Sequence, residues 1–280
     1  MTRIHLATGF RSRRILAASS LLVVFACSSA RAGLLQELQK AVGRLPHPQA
    51  QAGACVIDLT TGQTVFTLDA DRPLTPASTM KLFAMSTALA ELGPEFAFET
   101  VLATDGRNLL VIGDGDPGFG DEKIHRARGE SPAATFEAWA DELRRRGLTS
   151  VPGDIIIDEW VFADEPLHPT WDKDDLGKWY AAPVGALNIN DNCLDITVTP
   201  AGRAGAPVQV TVQPENSLLK FINNCRSGDK GTPSLHHRPG TSDYTISGRA
   251  PKRWSFGPVA VSDPGLLFAD SLRTVLARKG

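Results

Sequence analysis

The run Leu74–Phe83 constrains this chain most, because it combines a helix start with a serine and a lysine three residues apart. Residues at this spacing lie on the same face of a helix, so the side chains of Ser78 and Lys81 can meet. A serine hydroxyl becomes an effective nucleophile when a neighbouring base takes its proton. Lysine can be that base in its neutral form, which burial or nearby positive charge favours. The pair therefore predicts a serine acyl-transferase, with Ser78 as nucleophile and Lys81 as base.

The residues around the pair predict where the helix begins and ends. Thr75 is a predicted N-cap, and Pro76 suits the first helical position. Apolar residues recur at helical spacing from Leu82 to Leu92, and Gly93 ends the segment. We therefore expect the serine in the first helical turn, where the helix dipole stabilises negative charge.

The bare S-x-x-K pattern is not specific, because it also occurs at Ser217–Lys220 and Ser227–Lys230. Neither match has a proline-led helix start. The first follows a Pro-Glu-Asn turn, and the second lies in a polar segment of glycine and aspartate. We therefore interpret both as chance matches.

The first 32 residues have the pattern of a secretory signal peptide. Four arginines precede an apolar stretch, 15–26, that is too short to span a bilayer. Ala30-Arg-Ala32 matches a cleavage site, which predicts a mature start at Gly33 and a periplasmic or otherwise exported protein. The alternative is a lipoprotein signal, with Cys27 as the lipidated residue. No later stretch predicts a transmembrane helix.

The cysteine positions and the net charge limit the kinds of function that the chain can have. Disulfides form in the oxidising compartment that an exported chain meets, and Cys193 and Cys225 lie in similar Asn-rich settings, so they are candidates for a disulfide. Cys55 lies in an apolar strand pattern and is predicted to be a buried thiol. The absence of a C-x-x-C pair argues against a zinc ribbon. The formal net charge of −2 argues against nucleic acid as the main partner.

The glycine-rich loop Gly113–Gly120 resembles half of a calcium loop. Gly118 stands where a third oxygen ligand is required, and the loop lacks the glycine–lysine of a phosphate loop. We interpret it as a structural turn, so the sequence predicts neither a metal nor a cofactor.

Periodicity and turn residues predict a chain of mixed helices and strands. The segments between residues 195 and 261 alternate short strands with turns. The predicted helices are 33–45, one from Pro76 to Leu92, 131–147 and 263–279, and the predicted strands are 52–58, 63–68, 98–104, 108–112 and 153–158.

Several separated segments together resemble one known family. They are the strands 55–68, the serine block 76–81, Gly113–Pro117, 153–158 leading into Phe162, 180–188 with Asn190 and Asn192, and Val261–Pro264. In this order they resemble the N-terminal part of the D-Ala-D-Ala carboxypeptidase/endopeptidase family related to penicillin-binding protein 4, peptidase family S13. The segments cover most of the predicted mature chain, which is far more specific than S-x-x-K alone.

The resemblance implies a penicilloyl-serine-transferase fold of the α/β (α+β) class. Residues 34–97 and 262–280 would contribute to the catalytic domain, an antiparallel sheet covered by helices, and 98–261 would form a mostly β insertion. It also implies a D-Ala-D-Ala carboxypeptidase or endopeptidase that acts on peptidoglycan stem peptides through an acyl-enzyme on Ser78, with Lys81 as the base. β-Lactams would be covalent inhibitors, and no cofactor would be needed.

The family's second motif, Ser-x-Asn, and third motif, Lys-Thr-Gly, are not found in these 280 residues. Ser242-Asp-Tyr and Ser262-Asp-Pro lack the asparagine, and Lys230-Gly-Thr has the wrong order. We therefore expect a truncated product or gene fragment that is inactive and poorly stable alone. Two alternatives stay open: a non-catalytic fragment that binds peptidoglycan or a protein partner, and a β-lactamase, against which the long insertion argues.

Overall fold

The chain forms two compact units that divide between Glu95 and Phe96. The computed structural model describes residues 33–43, 49–162, 167–238 and 241–280. The predicted signal segment 1–32, with Cys27, lies outside the described residues. Within the described ranges, no helix combines the length and apolar character that crossing a membrane requires.

The first unit contains helix α1 (33–42), a β-hairpin and helix α2 (Met80–Leu92). Strands β1 (Ala54–Ile57) and β2 (Thr64–Leu68) pair antiparallel, as their turn residues predict. Gly93 ends α2 with φ of +81°, a backbone conformation that glycine adopts without steric cost. All of these elements lie within the predicted segments.

The second unit begins with a three-stranded sheet in the order β3-β4-β5. Strands β3 (Val101–Thr104) and β4 (Leu109–Ile112) form the predicted hairpin, and β5 (Ile155–Asp158) runs parallel to β4. A parallel pair needs a crossover connection, which helices α3 (Glu122–Ala127) and α4 (Ala134–Arg145) provide. The sequence did not predict α3, because its six residues make fewer than two turns and show no clear periodicity.

Two further sheets come from the predicted region of alternating strands and turns. One has the order β12-β6-β7 and is antiparallel throughout. In the other, β11 pairs antiparallel with β10 and parallel with β8 and β9. The strands are β6 (Cys193–Thr199), β7 (Gln209–Gln213), β8 (Lys220–Asn223), β9 (Arg226–Ser227), β10 (Pro233–His237), β11 (Asp243–Ala250) and β12 (Trp254–Ala260).

Helix α5 (Pro264–Lys279) packs on α4 and supplies the centre of an aromatic cluster. The Phe268 side chain is 0% exposed, and its ring centroid lies 4.9 Å from those of Phe119 and Phe136 and 6.4 Å from that of Trp139. This helix therefore belongs to the core of the second unit. The contribution of residues 262–280 to a catalytic domain stays a prediction.

A buried carboxylate joins α5 to the loop before β8. Asp270 is 3% exposed and accepts hydrogen bonds from the backbone N–H groups of Ser217 and Leu218 and from the Arg273 guanidinium. Burial raises the pKa of the Asp270 carboxyl, but these hydrogen bonds outweigh burial and hold the pKa below its ordinary value. The ionised carboxylate therefore stabilises this part of the fold.

The loop Gly113–Gly120 is a structural turn, as predicted. A Cβ on Gly113 would lie 2.4 Å from the carbonyl oxygen of Ala186, so a side chain does not fit there. The Gly115 N–H donates to the same carbonyl at 2.8 Å. The loop therefore joins the end of β4 to the segment before β6. No group of three His, Cys, Asp or Glu side chains that could hold a metal occurs in the described part of the chain.

The candidate disulfide between Cys193 and Cys225 is not formed, because both are buried free thiols. Cys193 begins β6 of one sheet, whereas Cys225 precedes β9 of the other. Burial, together with the carboxylates of Asp191 and Asp195, raises the pKa of the Cys193 thiol to about 12. The predicted burial of Cys55 is also wrong, because its side chain falls on the exposed face of β1.

Candidate active site

The predicted nucleophile lies in a 3-10 turn that leads directly into α2. The turn spans Ala77–Thr79 and α2 begins at Met80, so Ser78 lies in the first turn of a continuous helical run, as predicted. Lys81 follows one turn later, at the spacing that places two residues on one helix face. Both residues are exposed. Their roles as nucleophile and base stay predictions.

The start of this helical run differs from the predicted one. Thr75 is not its N-cap: Pro76 precedes the turn, and neither the turn nor α2 has a side-chain cap. Instead, the Pro76 carbonyl accepts hydrogen bonds from two groups of Thr79, its N–H at 3.0 Å and its hydroxyl. These hydrogen bonds from Thr79 to the Pro76 carbonyl therefore close the four-residue turn that contains Ser78.

Ala77, which directly precedes Ser78, has a left-handed backbone conformation with φ of +44°. For a residue with a Cβ, such a conformation costs about 1–3 kcal/mol and is found preferentially at functional sites. Sequence reasoning missed Ala77, because alanine carries no signal for a left-handed conformation. The outlier is an independent observation that points to the same turn as the S-x-x-K pattern.

The start of the helical run also leaves backbone N–H groups free of the helical hydrogen-bond ladder. Thr79 is the first residue of the run whose N–H reaches a carbonyl of the turn, so the N–H groups of Ala77 and Ser78 precede the hydrogen-bonded ladder. The helix dipole adds partial positive charge at this end, and the first turn contains no acidic residue. A negative charge that develops on an atom bonded to Ser78 Oγ would be stabilised here.

The other two S-x-x-K serines have structural roles. The Ser217 hydroxyl donates to Asp270 at 2.9 Å, and Lys220 begins strand β8. Ser227 is buried in strand β9, and its hydroxyl accepts a backbone hydrogen bond at 2.8 Å. Neither serine lies at a helix start, which confirms the interpretation of both matches as chance and leaves Ser78 as the candidate nucleophile.

Apolar residues are spread around helix α2 and not confined to one face, a distribution typical of buried helices. In the described structure its large side chains are nevertheless exposed by 53–67%: Met80, Leu82, Phe83, Met85, Leu89 and Leu92. The predicted helical periodicity is therefore confirmed, but the burial that such periodicity usually indicates is not observed.

A sequence profile of the D-Ala-D-Ala carboxypeptidase 3 (S13) family matches residues 34–280. The chain is also 28% identical, over 219 residues, to the D-alanyl-D-alanine carboxypeptidase of Actinomadura sp.. That alignment covers 72% of this chain and 38% of the relative.

Two crystal structures of penicillin binding protein 4 from Haemophilus influenzae have a similar fold. The first has a TM-score of 0.62 and 22% sequence identity, and the match covers 82% of this chain and 51% of that one. The second, complexed with a novel β-lactam, has a TM-score of 0.54 and 20% identity, covering 83% and 49%. The predicted mixed fold with a sheet-rich region is confirmed, and the chain spans about half or less of the length of these relatives.

Proposed function

This chain belongs to the D-Ala-D-Ala carboxypeptidase 3 (S13) family, and we propose that it carries the nucleophile and base of a serine-type D-Ala-D-Ala carboxypeptidase. The observation that carries the proposal is the position of Ser78 in the first turn of a helical run, with Lys81 one turn further on. The left-handed residue directly before the serine supports it, because strained residues cluster at functional sites.

In the proposed reaction, Lys81 accepts the hydroxyl proton of Ser78 while Oγ attacks the carbonyl carbon of the D-Ala-D-Ala peptide bond. The C–N bond of the tetrahedral intermediate then breaks, and the terminal D-alanine leaves after its nitrogen receives the proton. Water hydrolyses the resulting ester and restores the serine. The N–H groups and dipole at the helix start would stabilise the negative charge on the intermediate.

The proposed substrates are peptidoglycan stem peptides that end in D-Ala-D-Ala. Cleavage of a cross-link uses the same acyl-enzyme, because only the leaving amine differs. A β-lactam contains an equivalent amide, whose cleaved nitrogen stays attached to the acyl group, so we propose β-lactams as covalent inhibitors. The β-lactam complex of the structural relative supports this class of ligand. An exported location, proposed from residues 1–32, would place the protein with this substrate.

The test is covalent labelling of the full chain with a fluorescent penicillin, followed by mass spectrometry of its peptides. The proposal predicts one adduct, on the peptide that contains Ser78, and no adduct in Ser78→Ala, whereas the truncated, inactive product expected from the sequence would form none. Ser86→Ala, an exposed serine of the same helix, is the matched control and should label like the wild type. Lys81→Met should label at least about 100-fold more slowly, because a general base contributes about 10²–10⁴-fold.

Release of D-alanine from a diacyl-L-Lys-D-Ala-D-Ala peptide tests whether these 280 residues complete the reaction. Release that is lost in Ser78→Ala would establish the carboxypeptidase activity for this chain. Labelling that persists in Ser78→Ala would refute the assigned nucleophile. A wild-type chain that neither labels nor releases D-alanine would instead support the alternative of a non-catalytic binding fragment.

A further inference from the structure

The turn that contains Ser78 is closed by one residue, Thr79, through two hydrogen bonds to one acceptor. The Thr79 N–H and the Thr79 hydroxyl both donate to the carbonyl of Pro76. A carbonyl oxygen has two lone pairs and can accept both bonds. The N–H bond would form with almost any residue at this position, whereas the second bond requires a hydroxyl on the side chain.

The same turn contains the left-handed residue Ala77, which is exposed. A left-handed residue that is not glycine persists only where its surroundings hold it in place. Side-chain packing does not hold Ala77 in this conformation, because the Ala77 side chain is exposed. The restraints on the turn are the ring of Pro76, at φ of −70°, on one side and the two Thr79 bonds on the other.

We propose that Thr79 is a positioning residue for Ser78: its hydroxyl closes the Pro76–Thr79 turn, holds Ala77 left-handed and so sets the direction of the Ser78 side chain. This inference rests on the proposed function, because the reactivity of Ser78 is what the turn controls. The Thr79 hydroxyl does not touch the substrate in this proposal. Nothing in the S-x-x-K pattern requires it, since the residue after the serine is unspecified there.

The test compares Thr79→Val, which keeps the shape but removes the hydroxyl, with Thr79→Ser, which keeps the hydroxyl. The readout is the second-order rate constant for labelling of the full chain by a fluorescent penicillin, with the midpoint of thermal unfolding measured in parallel. We expect Thr79→Val to label about tenfold more slowly, the effect of one hydrogen bond, and Thr79→Ser to recover the wild-type rate within about twofold. Thr87→Val, an exposed threonine of α2, is the matched control and should leave the rate unchanged.

A role in stability alone would lower the unfolding midpoint of Thr79→Val but leave the labelling rate of the folded protein unchanged. That result would overturn the proposal, and so would a serine variant that labels as slowly as the valine variant. A second pair tests the backbone: Ala77→Gly should label at least as fast as the wild type, because glycine adopts positive φ freely, whereas Ala77→Val should label more slowly. Equal rates for these two variants would also overturn it.

Hydrogen–deuterium exchange separates this proposal from the proposed function. If the wild-type chain takes no label, the proposed function fails for this chain, and the exchange of residues 77–80 alone decides the role of Thr79. We then expect faster exchange of this segment in Thr79→Val than in Thr87→Val. Identical exchange in the two variants would refute the closed turn.

Discussion

Replacement of Phe268 by alanine should lower the free energy of unfolding of the second unit more than replacement of any exposed side chain does. The Phe268 ring is 0% exposed and lies between three other aromatic rings, with centroid distances of 4.9 Å, 4.9 Å and 6.4 Å. Truncation of a buried phenylalanine to alanine costs about 3–5 kcal/mol, because apolar contacts are lost and a cavity remains. We expect a loss near the middle of this range, about 4 kcal/mol, because the cluster also contributes favourable ring–ring geometry.

The free energy of unfolding can be measured by urea denaturation, followed by tryptophan fluorescence, to which Trp139 of the same cluster contributes. For a unit of this size, a loss of about 4 kcal/mol lowers the melting temperature by about 8–16 °C. Phe268→Leu keeps most of the buried volume and should lose less than about 1.5 kcal/mol. Phe83→Ala, which truncates a ring that is 67% exposed, should change stability by less than about 0.5 kcal/mol.

A loss below about 1 kcal/mol in Phe268→Ala, or one equal to that of Phe83→Ala, would refute this reasoning. It would mean that α5 is not part of the core of the second unit. The experiment therefore also bears on the predicted domain boundary, which assigned residues 262–280 to the catalytic domain.

Three further substitutions or reactions test other parts of the structure. Asp270→Asn should cost about 1–3 kcal/mol at pH 7, measured by urea unfolding. Because the native pKa of Asp270 is lowered, the ionised carboxylate stabilises the fold fully above the unfolded-state pKa near 4. The difference in free energy of unfolding between Asp270→Asn and the wild type should therefore shrink as the pH falls below this value. A difference that stays constant with pH would contradict the stabilising role of the ionised carboxylate. Gly113→Ala should lower stability by about 1–3 kcal/mol, because its Cβ would lie 2.4 Å from a carbonyl oxygen, whereas Gly202→Ala, with open space around it, should not. A thiol-reactive dye at pH 8 should label the exposed Cys55 quickly. The buried Cys193, whose pKa is about 12, should be labelled only in denaturant. Rapid labelling of Cys193 in the folded protein would show that its thiol is accessible and not buried.

The features that the sequence predicted correctly depend on short-range signals. The apolar periodicity and the terminal glycine predict α2, and the turn residues predict the hairpins β1–β2 and β3–β4. Asp263 and Pro264 predict the start of α5, where the Asp263 carboxylate accepts the Leu266 N–H at 2.8 Å. In each case the interacting groups are separated by a few residues, so the pattern along the chain contains the interaction.

Tertiary structure decided what depends on residues far apart in the chain, or on backbone dihedral angles. The sequence placed Ser78 at a helix start. Only the structure shows that Ala77 is left-handed and that a hydrogen bond from the Thr79 hydroxyl closes the turn containing Ser78. The S-x-x-K pattern alone cannot distinguish Ser217, and its contact with Asp270, 53 residues away, identifies that serine as structural. The order of strands in a sheet and the burial of a thiol likewise depend on which segments of the chain pack together. A local sequence pattern does not specify the segment against which it packs.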